Sequence, residues 1–273
     1  MEHTRNQHYV PQFLLKNFAS SKKSFIWTYD KVAKENNWNS IKERPISKVA
    51  SEDFFYDQIE NNKEFSFEYE IGKVEREVAP ILEKIVQHKN ILIITDIERE
   101  RLSYFIAIQF IRTKWRLNLI KSQSLDFTEK VAEAFGVAQE KLDHKSLWFS
   151  LFESASLFSK AIKNKVWFLG ESEKLFYSSD NPVVLQNSVN SNEFRGTLGL
   201  DSYGIEIYLP ISDSLLLCCC CEKYLQNKHG ILNLEKLPYE NILNLNSLQF
   251  FQSERFIFSS SNDFKMIDEF IDI

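Results

Sequence analysis

Glycine and proline are scarce in this 273-residue chain, at seven and six residues, which argues against long disordered linkers. Its four cysteines are consecutive, Cys218 to Cys221, so no disulfide framework can join distant parts of the chain. Neighbouring thiols in a strand point to opposite faces, which is poor geometry for one metal and suits small apolar core residues. No apolar run approaches the ~18 residues that a membrane-spanning helix needs, and the chain opens without an apolar leader. A cytoplasmic protein without a membrane partner is expected. The net charge of −5 exerts no global pull on nucleic acid or anionic lipid, although a local basic groove can still act inside an acidic protein. P-loop, dinucleotide, nucleophile-elbow and kinase signatures are missing.

What is present is an apolar fraction of 44% with 23 phenylalanines, enough for a substantial core. Phe25–Asp30 has the composition of a strand, residues 31–44 of a loop with a return near Trp38, and Glu52–Asp57 of a second strand. From Phe65 to His88 the apolar residues Phe67, Ile71, Val74, Val78, Ile81, Leu82 and Ile85 recur at helical spacing, with Pro80 expected to kink or divide the run. Thr95-Asp96 with Glu98 and Glu100 starts a helix expected to continue to Lys121, the longest in the chain. Helical pattern continues over 126–136, ending at Gly136, and over Leu142–Lys163.

Beyond Lys165 the chemistry is β. Val166–Leu169, Leu175–Ser178 and Val183–Leu185 precede a polar loop at 187–203, and Ile205–Pro210 with Leu215–Cys219 forms a hairpin. A helix over Tyr239–Gln252 and a strand at Phe256–Phe258 close the chain. This order predicts an α+β fold. A small mixed or antiparallel sheet would come from N- and C-terminal strands, around a central block of long helices. The segments are 1–60 (arm, helix and strands), 65–163 (helices) and 165–273 (strands with a C-terminal helix).

Candidate chemistry begins at His8-Tyr9-Val10-Pro11-Gln12. Proline disfavours helix in the residue before it, so His8 lies on an extended arm and Gln12 in the first helical turn, beside free N–H groups that favour an anion. Gln109 is the amide of an otherwise apolar run, Tyr104–Ile111, and on a continuous helix Arg112, Thr113 and Arg116 prolong its face. Two arginines spaced by four can clamp a carboxylate or phosphate, whereas a structural role would pair them with acids such as Glu75. In Ser178-Ser179-Asp180-Asn181-Pro182 a strand end presents Asp180, with Asn181 held extended. His3, His88, His144 and His229 have no ligand-like spacing with His8, so no zinc site or other cofactor is expected. Asp180 with Glu75 is the pair that would admit Mg or Mn.

The opening stretch, followed by Leu15 and Phe18, resembles the N-terminal signature of a mostly bacterial family, domain of unknown function 4238. Gln109, Arg112-Thr113 with Arg116, Ser179-Asp180-Asn181-Pro182, Asn246 and Arg255 are similar to that family's further motifs. The resemblance implies one family domain over 1–273 and brings no activity with it.

From residue types, the leading expectation is a phosphodiester-cleaving enzyme, a nuclease acting as a toxin or phage-defence effector. His8 would be its general acid/base, Arg112 and Arg116 its phosphate ligands beside Asn181, Gln12 and Gln109 its orienting amides, and Asp180 the partner of His8 or of a metal. The alternative is a non-catalytic module that captures a nucleotide or another small anion. A third reading gives the aromatic content to a protein partner encoded by a neighbouring gene.

Overall fold

The computed structural model describes residues 5–60, 63–135, 144–189, 198–222 and 233–271. The chain opens on β1 (Asn6–His8) and a single helical turn, α1 (Gln12–Leu15), continued by a 3-10 turn over Lys16–Phe18. Pro11 caps α1 in an extended conformation (φ −67°, ψ 141°), with its ring fixing the direction in which the arm enters the turn. β2 (Phe25–Asp30), α2 (Lys31–Glu35), β3 (Ile41–Pro45) and β4 (Ser51–Asp53) follow, then the hairpin of β5 (Asp57–Glu60) and β6 (Lys63–Ser66). β1 pairs antiparallel with β4, with His8 opposite Ser51.

The helical block comprises α3 (Glu68–His88), α4 (Asp96–Ile111), α5 (Lys114–Phe135), α6 (His144–Glu153) and α7 (Ala155–Lys163). α3 buries Ile71, Val78, Ile81, Leu82 and Ile85, the stripe that the spacing predicts. Pro80 does not divide it, because it lies on the exposed face, as does Arg76, whose carbonyl loses its partner there to water. α4 begins on a reciprocal capping box between Thr95 and Glu98.

The helix expected to reach Lys121 stops at Ile111. Its last carbonyls are drawn away, that of Ile111 by Trp148 Nε1 (2.8 Å) and that of Arg112 by the Tyr56 hydroxyl (3.4 Å). Thr113 Oγ1 then accepts from the Arg116 N–H (3.3 Å) and caps the next helix. α5, not the segment from Ile97, is therefore the longest helix of the block. The expected Leu142–Lys163 helix is likewise two, separated at Ser154, and Gly136 lies outside the described residues.

The last part supplies β7 (Val166–Glu171), β8 (Ser178–Ser179), β9 (Val184–Gln186), β10 (Glu206–Pro210), β11 (Leu215–Cys220) and β12 (Leu234–Lys236). α8 (Tyr239–Phe251), β13 (Phe256–Ser259) and α9 (Met266–Ile271) complete it. Residues 190–197, the middle of the expected polar loop, are outside the described set.

The fold is α+β, with N- and C-terminal strands meeting in an antiparallel sheet of order β3-β2-β13-β8. The other C-terminal strands form a separate mixed sheet, β12-β7-β11-β10-β9, whose β12–β7 pair is parallel. Cys219 packs into the large cluster shared with the helices, while Cys218 and Cys220 pack on the opposite face towards Ile242 and Leu245 of α8. That is the alternation their adjacency predicts. Among the described residues no helix is long and apolar enough to cross a membrane.

Trp148 joins the halves of the core. It is fully buried, lies against Phe55, Tyr56, Phe149 and Phe152, and donates its indole N–H to Ile111. Trp148→Ala is expected to cost about 3–5 kcal/mol in urea unfolding. Leu157→Ala, at a position 68% exposed, should change stability by no more than about 0.5 kcal/mol.

Candidate functional site

The N-terminal arm is held rigidly although it is only three residues long as a strand. Gln7 points inward, its Oε1 accepting from the Tyr56 N–H (2.6 Å) and its Nε2 donating to Asp57 (2.7 Å). Strand alternation then turns His8 the other way, into a cleft of about 510 Å³. α1 contributes Gln12 and Phe13 to this cleft, and α3 forms the facing wall with Glu68, Gly72, Glu75 and Arg76. Those four positions share one helical face, and the Arg76 guanidinium lies over Gly72, its Nη1 3.7 Å from where a Cβ would stand.

Behind the cleft stand Gln109 and Arg112, both fully buried. Gln109 Nε2 donates to the Tyr9 carbonyl (2.9 Å), and its Oε1 accepts from Arg112 Nε (2.7 Å). Arg112 Nη1 donates to Glu75 Oε1 (2.6 Å), while its Nη2 is buried without a partner. This chain of bonds couples the His8–Tyr9 backbone to the glutamate across the cleft. The pairing of Arg112 with Glu75 is the structural alternative that the sequence already offered.

Two of the cleft's titratable groups, His8 and Glu68, are shifted in opposite senses. Burial holds the His8 imidazole below its usual pKa, with Arg112 adding to the effect and Glu75 and a backbone hydrogen bond at Ile46 opposing it. Burial, then the charge of Glu75, pushes Glu68 up to about 7, against the pull of Arg112. At neutral pH the imidazole is therefore an acceptor, its Nε2 buried and unpaired, while much of Glu68 is a donor.

The other expected residues lie elsewhere. Arg116 starts a new helix beyond the Thr113 cap, so it does not form an i,i+4 clamp with Arg112. Its guanidinium stacks on Phe110, 3.8 Å from the ring centroid, and burial lowers its pKa to about 10. Asp180 is buried, its oxygens taken by the N–H groups of Glu254 (2.9 Å), Arg255 (2.8 Å) and Phe256 (2.8 Å). Burial raises its pKa to about 6 against those three bonds. Asn181 accepts from Thr113 Oγ1 (2.8 Å) and donates to the Gln252 carbonyl (2.7 Å).

Asp180 and Asn181 thus fasten the turn before β13 and the α4–α5 corner, and neither lines the cleft. Of the expected Asp180–Glu75 metal pair, Asp180 is bound to three backbone N–H groups and Glu75 to Arg112. Among the described residues no group of three or more His, Cys, Asp or Glu is arranged to hold a metal ion.

The other residues shared with the family's motifs are also structural. Asn246 accepts from the Tyr177 N–H (2.8 Å), and Arg255 makes a bidentate pair with buried Asp30 (2.8 and 2.7 Å). Sequence reasoning missed Glu68, Phe13 and Arg76. The i, i+7, i+8 spacing of Glu68, Glu75 and Arg76 around Gly72 was the available signal, hidden among charges that look like a solvated face.

The family model described as "Protein of unknown function (DUF4238)" matches residues 6–263. Comparison with curated proteins and with solved structures finds no match.

Asp180→Ala should lower unfolding free energy by about 3 kcal/mol or more, since three N–H groups lose their acceptor at about 1–3 kcal/mol each. Denaturant titration measures this. A second expectation concerns pH. Glu68 holds its proton up to about 7 when folded and up to about the ordinary glutamate value, 4.5, when unfolded, so the folded state binds more protons between those limits. Its stability contribution is therefore fullest below pH 4.5 and declines as pH rises to about 7. Subtracting the stability profile of Glu68→Gln from that of the wild type should reveal this decline; parallel profiles would show Glu68 titrating normally.

Proposed function

For this chain, which belongs to the DUF4238 family, we propose that the cleft binds and cleaves a phosphodiester, the activity of a nuclease. The observation carrying the reading is the presence, on the walls of one cleft, of a proton-accepting imidazole and a carboxyl group still partly protonated at neutral pH. Transfer of a phosphoryl group between oxygens needs one proton taken from the nucleophile and one given to the leaving oxygen. Here His8 is the base and Glu68 the acid. The division of roles follows from opposed pKa shifts.

Arg76, exposed on the cleft wall, is the cation that can meet a phosphate directly, and Gln12 offers an amide beside it. Arg112 acts from behind through Glu75, and Gln109 orients Arg112. Acyl transfer fits less well, because Ser47 on the cleft wall is not hydrogen-bonded to His8 Nε2, which has no partner. In the cell, a nuclease of this kind would act as a toxin or phage-defence effector.

Purified protein is expected to degrade an oligonucleotide substrate, with His8→Ala slower by about 10²–10⁴-fold. Growth arrest on expression should be relieved by the same substitution. Equal rates for wild type and His8→Ala would remove the imidazole from the chemistry. Thermal stabilisation by nucleotides without any product would instead mark a capture module for a small anion.

A further inference from the structure

We infer that the substrate is single-stranded RNA and that the nucleophile is the ribose 2′-hydroxyl, an inference resting on the phosphodiester reading. Attack by water on a DNA phosphodiester usually relies on a metal-activated hydroxide held by convergent carboxylates. The cleft's carboxyl groups are not arranged that way: Glu75 is committed to Arg112, and the described residues contain no three-ligand cluster. An internal 2′-hydroxyl needs less, because it is already tethered beside the phosphorus and its proximity replaces much of the activation.

The walls suit one or two unstacked nucleotides. At about 510 Å³ the cleft lies within the range of small-ligand sites, about 300–1,000 Å³. Phe13, half-buried in its wall, is backed by Phe105 at 5.6 Å between ring centroids, giving a fixed aromatic face for one base. Gln12, exposed on the wall, offers its amide to a base edge, and Arg76 meets the adjoining phosphate.

In the reaction, His8 Nε2 takes the 2′-hydroxyl proton as the 2′-oxygen bonds to phosphorus. The P–O5′ bond breaks, its electron pair leaves on O5′, and O5′ takes the proton of the Glu68 carboxyl. The products are a 2′,3′-cyclic phosphate and a 5′-hydroxyl end. Transfer of the imidazolium proton to the Glu68 carboxylate through water restores the starting enzyme.

The test uses the full chain with three oligonucleotides of one sequence: RNA, fully 2′-O-methylated RNA and DNA, each with magnesium and with EDTA. RNA should be cleaved at similar rates in both conditions, to ends that mass spectrometry identifies as 2′,3′-cyclic phosphates. The other two should be slower by at least about 10³-fold, since they lack the tethered nucleophile. Glu68→Gln, close to isosteric, should keep the fold and lose about 10²-fold or more, together with the alkaline limb of the pH–rate profile. DNA or methylated RNA cleaved within tenfold of RNA would overturn the 2′-hydroxyl mechanism and leave the phosphodiesterase reading standing. No cleavage of any of the three would overturn both.

Discussion

The structure depends most on one buried guanidinium, that of Arg112. Moving such a charge out of water costs several kcal/mol, and the cost is recovered only where hydrogen bonds and an opposite charge are held in place. Gln109 and Glu75 supply these from α4 and α3. The same corner of chain reaches further: Tyr56 approaches the Arg112 carbonyl, Thr113 binds Asn181, and Gln109 holds the Tyr9 carbonyl. N-terminal arm, helical block and C-terminal strands therefore meet where α4 ends. Loss of Glu75 would leave a buried charge without its counter-ion, so the ion pair specifies this arrangement more than it adds net stability.

That corner also sets the electrostatics of the cleft. Arg112 is too deeply placed to touch a bound molecule, yet it opposes both the protonation of His8 and the rise in the Glu68 pKa. Glu75 acts in the opposite sense on both groups. Desolvation outweighs both influences, and because it disfavours charge on either group, it lowers the His8 pKa and raises that of Glu68 within one cleft. The proton inventory that the proposed phosphoryl transfer needs thus follows from burial of two unlike groups in one cleft.

Much of this was legible from residue types. Strand β2, the α3 stripe, the Thr95–Glu98 cap and the β10–β11 hairpin follow from local patterning, which short-range physics controls. So did the His8–Gln12 arm and the buried Gln109, whose amide required a partner somewhere. The failures share a cause. The helical wheel that put Arg116 beside Arg112 assumed an unbroken helix, and the groups that break it, Tyr56 and Trp148, are dozens of residues away in sequence. Pro80 sits in a helix that runs undivided past it, on the face that the apolar stripe leaves to solvent.

Asp180 and Glu68 show why burial by itself does not identify a reactive carboxyl group. Both are desolvated and both have raised pKa values, about 6 and about 7. Asp180 is the more deeply buried, and its oxygens are filled by three backbone N–H groups, so its acceptor capacity is spent on holding the turn before β13. Glu68 stands on the wall of the same cleft as His8, whose Nε2 has no partner. The difference lies in whether a carboxyl group's bonds are already made. By that criterion the strand-end motif, chemically suggestive in sequence, serves as a brace, while an acid among the ordinary-looking charges of α3 is the one that the proposed reaction uses as its proton donor.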